Sequence, residues 1–148
     1  MKLKKLAALL CALMLCLAGL SAIAENTTTE EGDNDMQMRI GETPVTVVWE
    51  ENASVEALKA LAAEGLTIEM SMYGGFEQVG SIGQSLPRDD AQTTTTSGEI
   101  VLYSGNQLVV FYGSNSWAYT RLGHITDQTP EQMKALLGNG NVTITLSK

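Results

Sequence analysis

The sequence predicts a mainly β domain over residues 36–148: a small closed barrel of about eight strands with two short covering helices. Three observations predict it. After Met36 most of the chain alternates apolar and polar residues with period two, the pattern of half-buried strands. Only two stretches change to spacings of three and four, and both begin with helix-capping residues. The runs Ile100–Tyr103 and Leu108–Tyr112 are apolar at every position and call for burial on both faces. Closing the sheet and covering its ends with helices supplies that burial and removes exposed strand edges.

The elements follow in order. Met36, Met38 and Ile40 alternate with Gln37 and Arg39, and Gly41–Thr43 makes a turn into Pro44–Glu50, where Val45, Val47 and Trp49 alternate. In Asn52–Ala63, Val55, Leu58, Leu61 and Ala62 lie on one face of a helix of about three turns, with Asn52 or Ser54 as its cap and Gly65 at its end. Leu66, Ile68, Met70 and Met72 then form a single strand, its methionines filling the core. Tyr73–Asp90 is less regular, with a short strand at Phe76–Val79 among glycines. Ala91–Ser97, with four consecutive threonines, reads as an exposed loop.

Ile100–Tyr103 and Leu108–Tyr112 flank Ser104–Gln107 as a β-hairpin. Asn115–Trp117 reads as a loop or bulge before a strand at Tyr119–Ile125. Thr129-Pro130-Glu131-Gln132 is a capping box with proline at the first helical position. Met133, Leu136 and Leu137 give this second helix its buried stripe, Gly138 ends it, and Val142, Ile144 and Leu146 form the closing strand.

Ahead of the domain stand two segments of different character. Residues 1–24 read as a signal peptide: Lys2, Lys4 and Lys5, an apolar run of 15 residues at Leu6–Leu20, then Ala22-Ile23-Ala24 as an A-x-A cleavage site. That run is short of the roughly 20 residues that span a bilayer. Neither Cys11 nor Cys16 has the small preceding residue of a lipid-attachment site. The expected product is secreted or extracytoplasmic, begins at Glu25 and has no stable membrane insertion. Residues 25–35 hold five acids and no apolar side chain, and read as a disordered leader.

Removing the signal peptide's three lysines leaves six basic against 17 acidic groups, a net charge of −11, and removes both cysteines. This excludes disulfides, thiolate chemistry, Cys-bound zinc and a basic surface for nucleic acid. The single histidine, His124, makes no multi-histidine metal site, and no metal or cofactor is expected. Adjacent Asp89 and Asp90 diverge and make a poor carboxylate pair. Gly74–Gly83 has no phosphate-binding pattern, and Ser85 and Ser116 lack a nucleophile elbow.

The order Ser81–Pro87, Gly98–Tyr103, Gly105–Gly113 and Ser116–Ile125 resembles the bacterial cyclophilin-like domain family over roughly Met38 to Leu146. The resemblance implies an eight-stranded barrel with two covering helices, in an exported protein of no settled activity. The prolyl isomerase site of true cyclophilins combines an arginine with aromatic and amide groups in one groove. Arg121, Phe76, Phe111, Gln84 and His124 do not map onto that motif residue by residue, so no catalytic residue is assigned.

Candidate ligand-binding residues are Gln84, Ser85, Asn115, Trp117, Tyr119 and Arg121. Aromatic side chains with polar tips suit peptide or sugar recognition. Arg121 either binds a carboxylate or another anion, or pairs with Glu99, Asp89 or Asp90. By strand alternation Arg121 shares a face with Tyr119 and Gly123, and His124 lies on the other face with Leu122 and Thr120. Gly123 leaves room beside Arg121 for a ligand or for a neighbouring backbone. The expected function is an extracytoplasmic binding or accessory module for a peptide or small anionic ligand. The alternatives are a peptidyl-prolyl isomerase or related peptide-acting enzyme, and a structural cell-envelope protein.

Overall fold

A computed structural model describes residues 36–148. The signal peptide, its cleavage site and the acidic leader lie outside the described residues. The elements are β1 (Gln37–Ile40), β2 (Thr43–Val45), β3 (Val47–Trp49), α1 (Ala53–Ala63), β4 (Leu66–Glu69), β5 (Ser71–Tyr73), β6 (Glu77–Ser81), β7 (Ala91–Thr94), β8 (Glu99–Tyr103), β9 (Gln107–Phe111), β10 (Ser116–Ile125), α2 (Pro130–Leu137) and β11 (Thr143–Ser147). They build a four-stranded sheet ordered β2-β1-β11-β4 and a seven-stranded sheet ordered β3-β10-β8-β9-β6-β5, with β7 also paired to β10.

This is a mixed α/β fold, and it corrects the expected closed eight-stranded barrel: neither sheet closes on itself. Two physical reasons explain the difference. The first is that two stretches read as single strands each change sheets midway. In 44–50 the break is at Thr46, whose N–H donates to Asp127 Oδ1 at 3.0 Å and whose carbonyl accepts from Thr126 N at 2.9 Å. In 66–72 the break is at Met70, whose N–H donates to Val142 O at 2.8 Å, while Ser71 already pairs with Val79 in the large sheet. Alternation survives the bend, so the pattern hides it. Gly80 on β6 permits the second crossing: a Cβ there would lie 2.5 Å from Glu69 O and 2.6 Å from Met70 Sδ.

The second reason concerns the doubly buried hairpin, which is found where expected as β8 and β9. Its inner face, with Ile100, Leu102, Leu108 and Val110, joins the main core. Its outer face is buried by side chains of the same sheet and of the turn between β5 and β6. Val101, Val109 and Phe111 are covered by Tyr119, Phe76, Val79 and Tyr103, which form a second, smaller cluster. No closing strand is needed.

The main core lies among the two sheets and both helices, with Met38, Ile68, Ile144 and Leu146 from the small sheet, Leu122 and Ile125 from the large one, Val55 and Leu58 from α1, and Met133 and Leu137 from α2. Asn52 caps α1, its side chain accepting from Val55 N at 2.9 Å. Thr129 and Gln132 make the expected capping box of α2. Gln78, fully buried on the inner face of β6, donates Nε2 to Leu137 O at 2.8 Å and to Gly140 O at 2.7 Å, tying the end of α2 to the large sheet.

The threonine run is corrected as well. Ala91–Thr94 is strand β7, paired with Ser116–Tyr119, so Ser116 and Trp117 belong to a ten-residue strand rather than to a loop. Thr93 and Thr95 are buried, and Thr95 Oγ1 donates to Asn115 O at 3.0 Å and accepts from Asn115 N at 3.1 Å. Threonine's β-branched side chain suits such a half-buried strand.

Candidate functional site

Strand register sets the outer face of the large sheet. Tyr73 of β5 lies opposite Glu77 of β6, and Glu77 lies opposite Phe111 of β9. Val79, Val109, Val101 and Arg121 form the next row across the sheet. The Tyr119 ring meets Tyr103 edge-on at 6.1 Å and Phe111 at 5.7 Å, geometries favoured by the ring quadrupoles.

Over this face opens a cleft of about 560 Å³. Ser71, Met72 and Tyr73 come from β5, Glu77 and Val79 from β6, Tyr103 from β8 and Gln107 from β9; Asn115, Trp117 and Tyr119 complete the lining. Met72, Tyr73 and Trp117 are among the few exposed large hydrophobic side chains, and all three border this one cleft. The expected core role of Met72 is thereby corrected: at Met70 the chain leaves the core, and β5 is exposed throughout.

Glu77 is the unusual member. It is 6 % exposed, and its Oε2 is buried with no hydrogen-bond partner. None of the ion pairs among the described residues includes it. Burial away from water disfavours the ionised form and pushes its carboxyl from 4.5 up to about 7. Burial also pushes the Tyr119 hydroxyl up, opposed by the hydrogen bond from Asn115 Nδ2 at 2.9 Å and reinforced by the charges of Glu77 and Tyr103. No Lys, Arg or His lines the cleft.

Of the sequence-predicted residues, Asn115, Trp117 and Tyr119 meet in this cleft. Arg121 does not. It lies with Asn52, Ser54, Pro87 and Asp89 along a second cleft of about 420 Å³, which Tyr119 also reaches. Its Nη1 donates to Glu99 Oε1, and Glu99 Oε2 accepts from Thr96 N at 2.6 Å. Gln84 and Ser85 are exposed and line neither cleft. Gly123 makes room for backbone: a Cβ there would lie 2.8 Å from Val48 O. A β-bulge between Arg121 and Gly123 inserts Leu122 as an extra residue. It returns His124 to the Arg121 face, opposite Glu99, which corrects the simple alternation that put His124 with Leu122.

Sequence reasoning missed Met72, Tyr73, Glu77, Tyr103 and Gln107. The available signal was slight: Glu77 is an acid that shares one face of a short strand with Val79. Among the described residues, no group of three or more His, Cys, Asp or Glu side chains is placed to hold a metal ion. Among the same residues, no helix is long and apolar enough to cross a membrane.

The chain belongs to the cyclophilin-like family, whose family model matches residues 38–147. Comparison with curated proteins and with solved structures finds no match.

Proposed function

We propose that this member of the cyclophilin-like family is an extracytoplasmic binding module whose ligand occupies the aromatic cleft of the large sheet. The observation that carries the reading is Glu77. A buried carboxyl oxygen without a partner costs about 1–3 kcal/mol, more when charged, and folds rarely keep one without use. Here it stands in a cleft walled by Tyr73, Tyr103, Trp117 and Tyr119, where a ligand can supply the missing partner while its body covers the exposed rings. The apolar run and A-x-A site of residues 1–24 support export.

The isomerase alternative is less well supported. Cyclophilin catalysis brings an arginine and aromatic groups into one groove, whereas Arg121 lines the other cleft and pairs with Glu99. The test is a small-molecule screen on the purified protein, followed by backbone amide shift mapping. Saturable shifts at Tyr103, Gln107, Trp117 and Tyr119 are expected. Saturable shifts confined to α1 or to the Arg121 cleft, or no saturable shift with any compound, would overturn the reading.

A further inference from the structure

We infer that the aromatic cleft takes a small organic ammonium ion, its charged head on Glu77 and its apolar body against the tyrosine and tryptophan walls. The inference rests on the cleft being the ligand site, and it names the ligand's charge.

Three observations carry it. The cleft holds one carboxyl group whose Oε2 is buried and unpartnered, and no cationic side chain among its lining residues. An ammonium head completes an ion pair that the chain leaves half-built, and charge-assisted hydrogen bonds are the strong ones. The walls are Tyr73, Tyr103, Trp117 and Tyr119, and the faces of such rings attract cations most when water is excluded. The chain carries 17 acidic against nine basic groups, a field that gathers cations and repels anions. A carboxylate ligand, the class first suggested by Arg121, would meet Glu77 as a like charge.

The titratable groups facing Glu77 from the surrounding elements are the phenols of Tyr73, Tyr103 and Tyr119. On the same face Arg121 is paired with Glu99, and His124 is exposed outside the cleft. The pH dependence of ligand binding therefore reports Glu77. A cation requires the ionised carboxylate and binds better as pH rises. A neutral hydrogen-bond acceptor requires the protonated acid and binds better as pH falls.

The experiment titrates the purified protein with phenethylammonium, phenethyl alcohol and phenylacetate, reading dissociation constants from the amide shifts of Tyr103 and Trp117. Phenethylammonium stays protonated throughout the range used. It is expected to bind about tenfold tighter than the alcohol above neutral pH, the worth of one charge-assisted contact. Its affinity should rise about tenfold from pH 6 to pH 8, following the ionised fraction of a carboxyl near 7. Glu77→Gln should abolish both the preference and the pH dependence while the alcohol still binds. Equal affinities for amine and alcohol would overturn the ammonium assignment and leave the cleft as the ligand site. Tighter binding of the alcohol or phenylacetate than of the amine at pH 8, or an amine affinity that falls as pH rises from 6 to 8, would do the same. No saturable shift at the cleft with any of the three would overturn both readings. The pH series on the unaltered protein stands even if the variant folds poorly.

Discussion

Glu77→Gln should make the folded protein more stable as pH rises, by an amount set by burial alone. The folded-state carboxyl sits near 7 against 4.5 for an exposed glutamate, which corresponds to about 3 kcal/mol at ~1.4 kcal/mol per pH unit. The sign follows from proton counting. Below 4.5 the group is protonated in both states and charge costs nothing. Between 4.5 and about 7 the unfolded chain releases the proton while the folded chain retains it, so stability falls as pH rises. Above about 7 both states are ionised and the full penalty stays. Between pH 5 and pH 8 the stability advantage of the variant over the parent should therefore grow by about 2.5 kcal/mol. The other carboxylates are common to both proteins and cancel in the difference, as does the fixed effect of placing an amide in the cleft. Urea unfolding at several pH values, with unchanged m-values, measures it. Parallel stability curves for parent and variant would show that Glu77 titrates like a surface acid and would refute the reasoning.

Gly80→Ala should destabilise by about 2 kcal/mol or more, because the added methyl meets backbone at the point where the chain changes sheets; unfolding midpoints check it. Gln78→Ala should cost about 2–4 kcal/mol, since it leaves the carbonyls of Leu137 and Gly140 without their buried donor and opens a cavity. Arg121→Gln should change stability by less than about 1 kcal/mol, because the pair with Glu99 is half exposed on the arginine side. It should also leave affinity at the aromatic cleft unaltered. Expression of the whole chain in an exporting host should yield a protein whose mass begins at Glu25; an intact leader or a lipid on Cys16 would refute export by cleavage.

How much was legible in the sequence depends on how local each feature is. Both helices could be read because their caps are local: Asn52 with Val55, and Thr129 with Gln132, are contacts within one turn. The β8–β9 hairpin could be read because its turn and its apolar runs adjoin. The bends at Thr46 and Met70 could not, since a partner such as Asp127 or Val142 lies some seventy or more residues away and alternation continues through the bend. The closed barrel was inferred from the need to bury both faces of β8 and β9. That need is real, but Tyr119 and Tyr103 of the same sheet and Phe76 of the turn before β6 meet it. The threonine run looked exposed because its composition is polar, and only the pairing with Ser116–Tyr119 shows why it is a strand. In the same way the bulge at Leu122 reversed the face of His124, a change of one residue that period-two reasoning does not register.

The cleft was half legible for a similar reason. Asn115, Trp117 and Tyr119 cluster in sequence, and so they were found. Their partners across the sheet come from four other strands, and each taken alone is ordinary: a tyrosine at a strand end, a methionine in an alternating run, a glutamate in a short strand. Glu77 becomes exceptional only once Phe111 is known to lie beside it and Tyr119 to lean over the face they share. Arg121 attracted attention because a cation on an acidic protein is conspicuous, yet its neighbour Glu99 neutralises it. The group left without a counter-charge is the buried acid. Stability and recognition are then two readings of one free energy. The cost of ionising Glu77 in its buried site weakens the fold at neutral pH, and a ligand that supplies the opposite charge recovers part of that cost on binding. An apolar residue in its place would give a more stable sheet with nothing to distinguish an ammonium ion from an alcohol.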